Sequence, residues 1–318
     1  MAMLFLASGP DMPIVPASKR AIVTLLYGEA YRAQWERVAM KGWLVYAEKN
    51  GYDLILVVGP LESGNRPIAW QKCLILSQVW SSRYERIVWV DADILINPSA
   101  PDVCYGVPAE KIGVVAPYGQ FSTAELLIHH MRQDLFTGQS VPETEEVFLP
   151  DEINRKLARE HIDRVQLSED MDVSDVDDFH ILNTGVLVLS PLFHRSILEA
   201  CYQYPHRTRS YEQNALSYLI YKNKLFFEIN YRFNMNLSHI LSIHYPDQFL
   251  VLCNQEQHRV NKDILEYALS VEFINSYFLH FCTLGNLFGL IDEVPCYTTL
   301  RQNHAAVLNR SVKIKSVS

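Results

Sequence analysis

Two aspartates separated by one alanine form the clearest candidate for a functional site in the sequence. Asp91 and Asp93 follow directly on the apolar run Ile87–Val90, which predicts a buried strand. In an extended chain, residues two apart point to the same side, so both carboxylates can face one site where open α/β sheets bind ligands. Two hard oxygen donors this close favour a divalent cation, Mg²⁺ or Mn²⁺. Because Asn97-Pro98 is typical of a turn, a solvated turn is the alternative interpretation.

Three other polar residues could take part in chemistry. Lys72 lies in the first turn of a predicted helix, an unfavourable place for a cation, so we expect it to have a partner; a solvated surface lysine is the alternative. Asn183 offers a donor and an acceptor before an apolar strand, although the Asn-Thr-Gly segment could equally be a plain turn. His280 lies in an apolar strand, where a buried core histidine is the commoner case.

The segment Ser210-Tyr211-Glu212-Gln213 matches a capping box. Ser210 would cap a helix that runs to about Asn223, and the side chain of Gln213 would reach back to the cap. Glu212 would then occupy a favourable position near the positive end of the helix dipole. Both residues therefore have a structural explanation on the sequence alone.

The predicted secondary structure around these residues alternates between strands and helices. Strands are predicted at Ala21–Leu26, Asp53–Val58, Ile87–Val90, Ile112–Ala116, Val186–Leu189 and Leu225–Ile229, and helices at Tyr31–Asn50, Ile68–Ser82, Leu192–Tyr204 and Ser210–Asn223. The β-α-β opening predicts parallel neighbours, and the whole pattern predicts one α/β domain with a mostly parallel central sheet.

The chain divides into three predicted parts. Residues 1–18 are a proline-punctuated leader, expected to be flexible, residues 19–290 form the domain, and residues 291–318 form a C-terminal tail. The domain contains a predicted insertion at about 118–178, with helical stretches near 124–135 and 151–160. Its end, residues 166–178, carries six acids and no base, which indicates a mobile, solvated excursion that could cover a site.

Composition excludes several classes of protein. The net charge of -8, without any basic run, argues against a nucleic-acid-binding protein, which needs a positive face. The six cysteines are scattered along the chain, which predicts reduced thiols rather than a zinc cluster. The apolar start has seven residues, and no uncharged apolar stretch approaches the roughly 20 that a membrane-spanning helix needs. We therefore expect a soluble protein of a reducing compartment.

The order of six short motifs resembles a known family. The motifs are Trp70-Gln71-Lys72, Trp89-Val90-Asp91-Ala92-Asp93, Asn183-Thr184-Gly185, Glu212-Gln213-Asn214-Ala215-Leu216, Phe233-Asn234 and His280-Phe281. On these, the chain between about residues 21 and 286 resembles a nucleotide-sugar glycosyltransferase of the GT-A (Rossmann-like) fold. It is most similar to the galactosyl-, xylosyl- and mannosyltransferases of family thirty-four and akin to the glycogenin-like family eight.

The resemblance implies roles for individual residues. Asp91 and Asp93 would be the Asp-x-Asp acids that hold Mn²⁺ or Mg²⁺, with His280 as the third ligand. The donor would be bound by Thr24 and Leu25 at the nucleoside, by Lys72 at the phosphate or sugar, and by Ala92 and Gly285. Asn183, Glu212 and Gln213 would lie beside the reacting sugar, with Gln213 on its β face. The sequence departs from the family at Glu212, where an aspartate is usual, and at Gly285, which comes late after the histidine.

The resemblance implies transfer of a sugar, with retention, from a UDP-sugar to a glycan or other hydroxyl acceptor. Because the family's usual membrane anchor is not seen, a cytoplasmic bacterial or viral relative is expected. Two alternatives stay open: a phosphatase of the haloacid-dehalogenase type, whose nucleophile motif is also an apolar run followed by Asp-x-Asp, and a protein that binds sugar nucleotides without turnover. The acids at 172–178 could supply a base for an inverting enzyme.

Overall fold

The computed structural model describes residues 4–7, 14–62, 66–116, 176, 179–205, 211–253, 262–282 and 288. Several sequence predictions lie outside these residues. They are the helices and nearly all of the acidic stretch of the insertion, the cap Ser210, the glycine Gly285 and the C-terminal tail.

A seven-stranded sheet forms the centre of the described structure. Its strands are β1 (Leu4–Ala7), β2 (Arg20–Leu25), β3 (Asp53–Val57), β4 (Arg86–Val90), β6 (Ile112–Val115), β7 (Asn183–Leu189) and β8 (Phe226–Glu228), in the order β1-β3-β2-β4-β7-β6-β8. Strand β7 alone is antiparallel to both of its neighbours, and every other pairing is parallel. The predicted α/β fold with a mostly parallel central sheet is thereby confirmed.

A second, three-stranded sheet lies beyond the end of β4. It contains β5 (Ile94–Ile96), β9 (Met235–Asn236) and β10 (Phe278–His280), in the order β5-β10-β9. Strand β10 is antiparallel to β5 and parallel to β9, so that His280 stands opposite Ile94 on one side and Asn236 on the other. This register places the end of β10 beside the turn that connects β4 and β5.

Helices cover both faces of the central sheet. They are α1 (Glu29–Val38), α2 (Met40–Asn50), α3 (Pro191–Tyr202), α4 (Glu212–Lys222), α5 (Leu237–His244), α6 (Pro246–Cys253) and α7 (Lys262–Asn275), with 3₁₀ helices at Ile68–Ser77, Val79–Arg83 and Tyr231–Asn234. Alternate residues of β2, β3 and β4 contribute to two separate apolar cores, one packed with α1 and α2 and the other with α3, α4 and the first two 3₁₀ helices. No helix in the described ranges is both long and apolar enough to cross a membrane.

The segment preceding β4 differs from the predicted α-helix at Ile68–Ser82. It forms two 3₁₀ helices separated by Gln78, whose ψ of 141° is extended. In a 3₁₀ helix side chains three apart lie in line, and Trp70, Cys73 and Leu76 follow that spacing and are all buried. The tighter helix therefore buries one continuous apolar row.

The start of the chain also departs from its prediction. Leu4–Ala7, within the predicted leader, pair in parallel with β3 as the edge strand β1. The predicted helix Tyr31–Asn50 is interrupted at Ala39, which separates α1 from α2. A Cβ on Gly42 of α2 would meet the carbonyl oxygen of Ile96 at 2.5 Å, so α2 lies as close to β5 as a glycine allows.

Candidate active site

The two aspartates of the Asp-Ala-Asp motif lie in the turn between β4 and β5. Strand β4 ends at Val90, and the backbone N–H of Asp91 still donates to the carbonyl of Gly185 on β7, at 2.8 Å. Ala92 and Asp93 then form the turn itself. The prediction that the chain is extended from Asp91 to Asp93 is therefore wrong, because Ala92 and Asp93 form a turn. A carboxylate oxygen of each aspartate nevertheless lies within 4.8 Å of the other. The turn leads directly into β5, which pairs with β10.

His280 completes this group. The backbone N–H of Phe281 donates to the carbonyl of Asp93 at 2.9 Å, which fixes the end of β10 against the turn. His280 Nε2 lies 3.3 Å from Asp93 Oδ1 and 3.9 Å from Asp91 Oδ2. One ligand atom from each of the three residues lies within 4.8 Å of the others, so the group could hold a metal ion. We name it the Asp-Asp-His group.

The three possible ligand side chains fit a divalent cation such as Mn²⁺. Two carboxylates and one imidazole match the ligands that such ions accept in proteins. The Asp91 and Asp93 side chains keep 26% and 24% of their surface exposed, whereas the His280 side chain keeps 4%. The acids therefore leave an open side where phosphate oxygens or water could complete the coordination.

His280 and Asp93 shift each other's pKa values. Burial alone would lower the pKa of His280, but the carboxylates of Asp93 and Asp91 outweigh it and the pKa is raised. Burial would raise the pKa of Asp93, but the neighbouring His280 overcomes it and lowers the pKa. The metal-free group therefore favours an imidazolium beside carboxylates. A bound cation would take the place of that proton.

Two residues fix the ring of His280. The side chain of Asn234, at the end of the 3₁₀ helix before β9, lies with its Oδ1 2.8 Å from His280 Nδ1. On the other side, a Cβ on Gly185 would meet His280 Cε1 at 2.5 Å. Only glycine lets β7 approach the ring this closely.

Lys72 lies between the Asp-Asp-His group and α4 and contacts both. Its ammonium lies 3.0 Å from Asp91 Oδ1 and 2.8 Å from Glu212 Oε1, and only 6% of the residue is exposed. Burial would lower the pKa of Lys72, but the charges of Asp91 and Glu212 prevail and raise it. The expected partner of Lys72 is thus confirmed. The alternative of a solvated lysine is wrong.

Trp89 and Thr184 complete the hydrogen bonds of this cluster. The indole N–H of Trp89 donates to Asp91 Oδ1 at 2.6 Å, and its ring centroid lies 5.6 Å from the Lys72 ammonium. The hydroxyl of Thr184 donates to Glu212 Oε1 at 3.1 Å. Glu212 is 3% exposed, so its carboxylate lies within the protein rather than at the solvent-facing start of a helix.

The first turn of α4 differs from the predicted capping box. The residue that precedes the helix is Tyr211, with φ 55° and ψ -127° and no side-chain cap hydrogen bond. This backbone conformation is strained for a residue other than glycine. Gln213 is half-buried, and its backbone carbonyl accepts from the hydroxyl of Ser217 at 2.6 Å.

The other predicted donor residues lie at the carboxyl end of β2. Thr24 and Leu25 follow Val23, which pairs with Trp89 of β4, so they reach the level of the Asp-Asp-His group. Thr24 is fully buried, and its hydroxyl has no hydrogen-bond partner among the described residues.

Asn183 lies at the start of β7, where its Oδ1 accepts from the N–H of Gly185 at 3.1 Å.

No role was predicted for Asn234, Thr184 or Trp89, although all three lie in the motifs that carried the resemblance. The neighbours of Trp89 and Asn234 in the sequence are apolar, and Thr184 belongs to a segment that could also be a plain turn, so no local pattern marks the three as polar partners of a site. The contact of Asn234 with His280 and that of Thr184 with Glu212 join residues far apart in the chain, whereas Trp89 donates to Asp91 two residues away. The structure brings together Lys72, Asp91, Asp93, Glu212 and His280, while Gly285 lies outside the described residues.

Comparison with known proteins gives likenesses of fold. No family model matches the chain, and neither does any curated protein. A solved structure described as the WbbM bifunctional glycosyltransferase in its apo form is similar over 85% of this chain, with a TM-score of 0.50 and 10% identity. This chain spans 47% of that protein. A glycosyltransferase involved in the glycosylation of the major capsid of PBCV-1 aligns over 84% of this chain and 97% of its own length, with a TM-score of 0.45 and 13% identity.

Proposed function

We propose that this protein is a metal-dependent glycosyltransferase that moves a sugar from a nucleotide-sugar donor to a hydroxyl acceptor. The observation that carries the proposal is the convergence of Asp91, Asp93 and His280 at the carboxyl end of β4. The fold, which is shared with a solved glycosyltransferase, is consistent with it. The group is built from two separate sheets, and a solvated turn would not need such an arrangement.

Asp91, Asp93 and His280 would hold a divalent cation, Mn²⁺ or Mg²⁺. When bound, such an ion neutralises the charge that develops on a departing diphosphate. The chain's own residues would do the positioning. Thr24 and Leu25 would meet the nucleoside, and Ala92 and Gly285 would line the donor. The buried hydroxyl of Thr24 supports this placement, since it is left without a partner in the described ranges.

Lys72 would contribute a fixed positive charge. Its ammonium already neutralises part of the charge of Asp91 and Glu212, and a donor phosphate placed beside it would meet a preorganised cation in a site of low dielectric. Such a charge requires no reorganisation when the leaving group departs. Glu212 would hold Lys72 in place in addition to lying near the sugar.

The reaction proposed is substitution at the anomeric carbon with retention. The bond from that carbon to the diphosphate oxygen breaks, the acceptor oxygen bonds to the carbon on the same face, and the acceptor proton passes to the departing diphosphate. Asn183 would orient a sugar through its Nδ2, because its Oδ1 already accepts from Gly185. Gln213 would lie on the β face of the donor sugar. Proximity and charge stabilisation would provide most of the rate enhancement.

The choice of UDP and of retention rests on the resemblance in sequence, and so does a cytoplasmic location. The phosphatase alternative is less favoured because that chemistry pairs its Asp-x-Asp with a later pair of acids. In the described part of the chain the group that meets Asp93 is instead an imidazole.

The test is thermal unfolding of the protein with UDP-, GDP-, CMP- and TDP-sugars, with and without Mn²⁺. A ligand at about 100 times its dissociation constant stabilises a fold by about 2.7 kcal/mol, which is readily measured. We expect one nucleotide class to raise the midpoint only when metal is present. Asp93→Ala should lose this effect. A protein that no sugar nucleotide stabilises, with or without metal, would contradict the proposal.

A further inference from the structure

The amide of Asn234 lies between two groups that the rest of the fold fixes. Its Nδ2 donates to the backbone carbonyl of Asn183 at 3.0 Å, and its Oδ1 lies 2.8 Å from His280 Nδ1. A carbonyl oxygen can only accept, so the atom that faces Asn183 must be the amino group. The oxygen of the Asn234 amide is therefore directed at the imidazole. Only 3% of Asn234 is exposed, so water does not compete for these bonds.

We propose that Asn234 is a positioning residue of the Asp-Asp-His group, which holds His280 in the tautomer whose Nε2 lone pair faces the two aspartates. This inference rests on the proposed metal centre. An oxygen acceptor at 2.8 Å requires a proton on Nδ1. In the neutral ring the other nitrogen then has none. Nε2, the nitrogen 3.3 Å from Asp93, is thereby kept available to a cation.

The opposite tautomer would otherwise be favoured. Without an acceptor at Nδ1, the best partner for the proton of a neutral His280 is the carboxylate of Asp93, and Nε2 would donate to it. That hydrogen bond would occupy a ligand nitrogen and a ligand oxygen at once. Asn234 opposes it by offering Nδ1 a buried partner.

Asn234 also fixes the ring's place relative to β7. Its bond to the Asn183 carbonyl ties β7 to the residue that precedes β9, while Gly185 of the same strand touches the imidazole edge. A histidine that is held by its partner on one side and by backbone on the other cannot rotate away from the acids. Ligand orientation of this kind typically changes metal affinity about 10- to 100-fold.

The experiment measures Mn²⁺ binding to the full chain by titration, in wild type, Asn234→Leu and Asn234→Asp. Leucine has a similar shape and offers no acceptor, so we expect it to weaken Mn²⁺ binding about 10- to 100-fold. Aspartate keeps the acceptor for Nδ1 but loses the donor to the Asn183 carbonyl. We expect Asn234→Asp to bind Mn²⁺ within about threefold of wild type, or more tightly, because the hydrogen bond to His280 is what matters.

The control is Asn97→Leu. Asn97 is a half-buried amide at the other end of β5, where its Nδ2 donates to the carbonyls of Phe273 and Ser276 at 3.2 and 3.3 Å. Its loss should cost stability of a similar kind without touching the Asp-Asp-His group. We expect Mn²⁺ affinity to be unchanged in Asn97→Leu.

A second readout follows the tautomer directly. In protein with ¹⁵N-labelled histidine, at a pH above the titration of His280 and without metal, the spectrum distinguishes Nδ1–H from Nε2–H. The His280 signals are identified by their loss in His280→Gln. Wild type should show the Nδ1–H form, and Asn234→Leu should shift to Nε2–H. A merely structural contribution of Asn234 would leave the tautomer unchanged.

The outcomes separate this inference from the metal centre itself. Mn²⁺ binding by wild type that Asp93→Asn abolishes, together with full affinity in Asn234→Leu, overturns the role of Asn234 alone. Equal losses in Asn234→Leu and Asn234→Asp also overturn it, since the bond to Asn183 would then be what counts. A wild type that shows no Mn²⁺ binding dependent on Asp93 overturns both proposals.

Discussion

The two ends of the central sheet each hold a cluster of charged side chains, and the clusters are balanced differently. At the amino end of β2, the Arg20 guanidinium pairs with Asp102, donates to the carbonyl of Asn50 and stacks on Tyr52, with its carbon 4.5 Å from the ring centroid. Tyr52 donates to the same carboxylate. Within this pair one positive charge meets one negative charge, while Arg86, opposite Arg20 in the strand register, donates to the carbonyl of Val107.

At the carboxyl end the charges do not cancel. Three carboxylates, those of Asp91, Asp93 and Glu212, face Lys72 and the ionisable His280. When the histidine is neutral, the cluster has a surplus of two negative charges. A balanced pair can be explained by stability alone, whereas a surplus of negative charge favours the binding of a cation. The comparison supports the proposal that the cluster at the carboxyl end is the functional one, and it does so without reference to a motif.

The pKa values of two buried histidines, one at each end of the sheet, shift in opposite directions. At the carboxyl end, the carboxylates of Asp93 and Asp91 overcome burial and raise the pKa of His280. At the other end, burial lowers the pKa of His194, and its Nδ1 accepts from the N–H of Ser190 at 2.9 Å. The first site favours a positive charge on the imidazole, and the second disfavours one.

The largest effect is expected for Asp93→Asn. We expect transfer activity to fall about 100- to 1000-fold, since one of the charges that binds the cation is removed. Without metal, the free energy of unfolding should change by at most about 1 kcal/mol, because His280 can release its proton when its partner is neutral. Activity assays and urea denaturation measure the two quantities. A loss of stability that accounts for the loss of activity would remove the contrast between the ends.

Lys72→Met should have the largest effect on stability. It leaves Glu212 buried without a cation, and breaking a buried pair in this way costs about 3 kcal/mol. Urea denaturation without metal measures the cost. The double variant Lys72→Met with Glu212→Gln should recover much of the loss, because the unpaired charge is then gone. If the double variant were no more stable than Lys72→Met, lost packing rather than charge would explain the result.

Asp102→Asn tests the balanced end. It removes the carboxylate that Arg20 and Tyr52 share, and because this pair is partly exposed we expect a cost of about 2 kcal/mol. Mn²⁺ affinity should stay within about twofold of wild type, since no residue of the Asp-Asp-His group is involved. Denaturation and metal titration report the two results. Weakened Mn²⁺ binding here would show that the ends are coupled.

The smallest effect is a pH dependence that differs between the histidines. The raised pKa of His280 means that its contribution to metal-free stability is present below the unfolded value of about 6.5 and is lost as pH rises through the folded pKa. The lowered pKa of His194 means that stability is lost as pH falls below about 6.5 towards the folded value. Stability profiles of His280→Gln and His194→Gln against wild type measure each term. Differences that change with pH in the same direction would contradict the assignment.

Local sequence patterns were enough to predict the strands β2, β3, β4 and β6, the helices α3 and α4 to within a few residues, and the place of the acid pair. These features are local: an apolar run of four or five residues predicts a buried strand, and Gly51 or Pro205 marks where a helix must end. The fold class followed because alternating strands and helices permit few arrangements.

The assembly of the candidate site, in contrast, depends on contacts that form only in the folded chain. The reversal of β7 brings Asn183 and Gly185 beside Asp91, and the pairing of β10 with β5 carries His280 to the acids. The partnership of Lys72 with Glu212 and that of Asn234 with His280 join residues far apart in the chain. No local pattern encodes these contacts. They depend on strand register and on which buried charge finds which partner, and both are settled only when the whole sheet closes around the site.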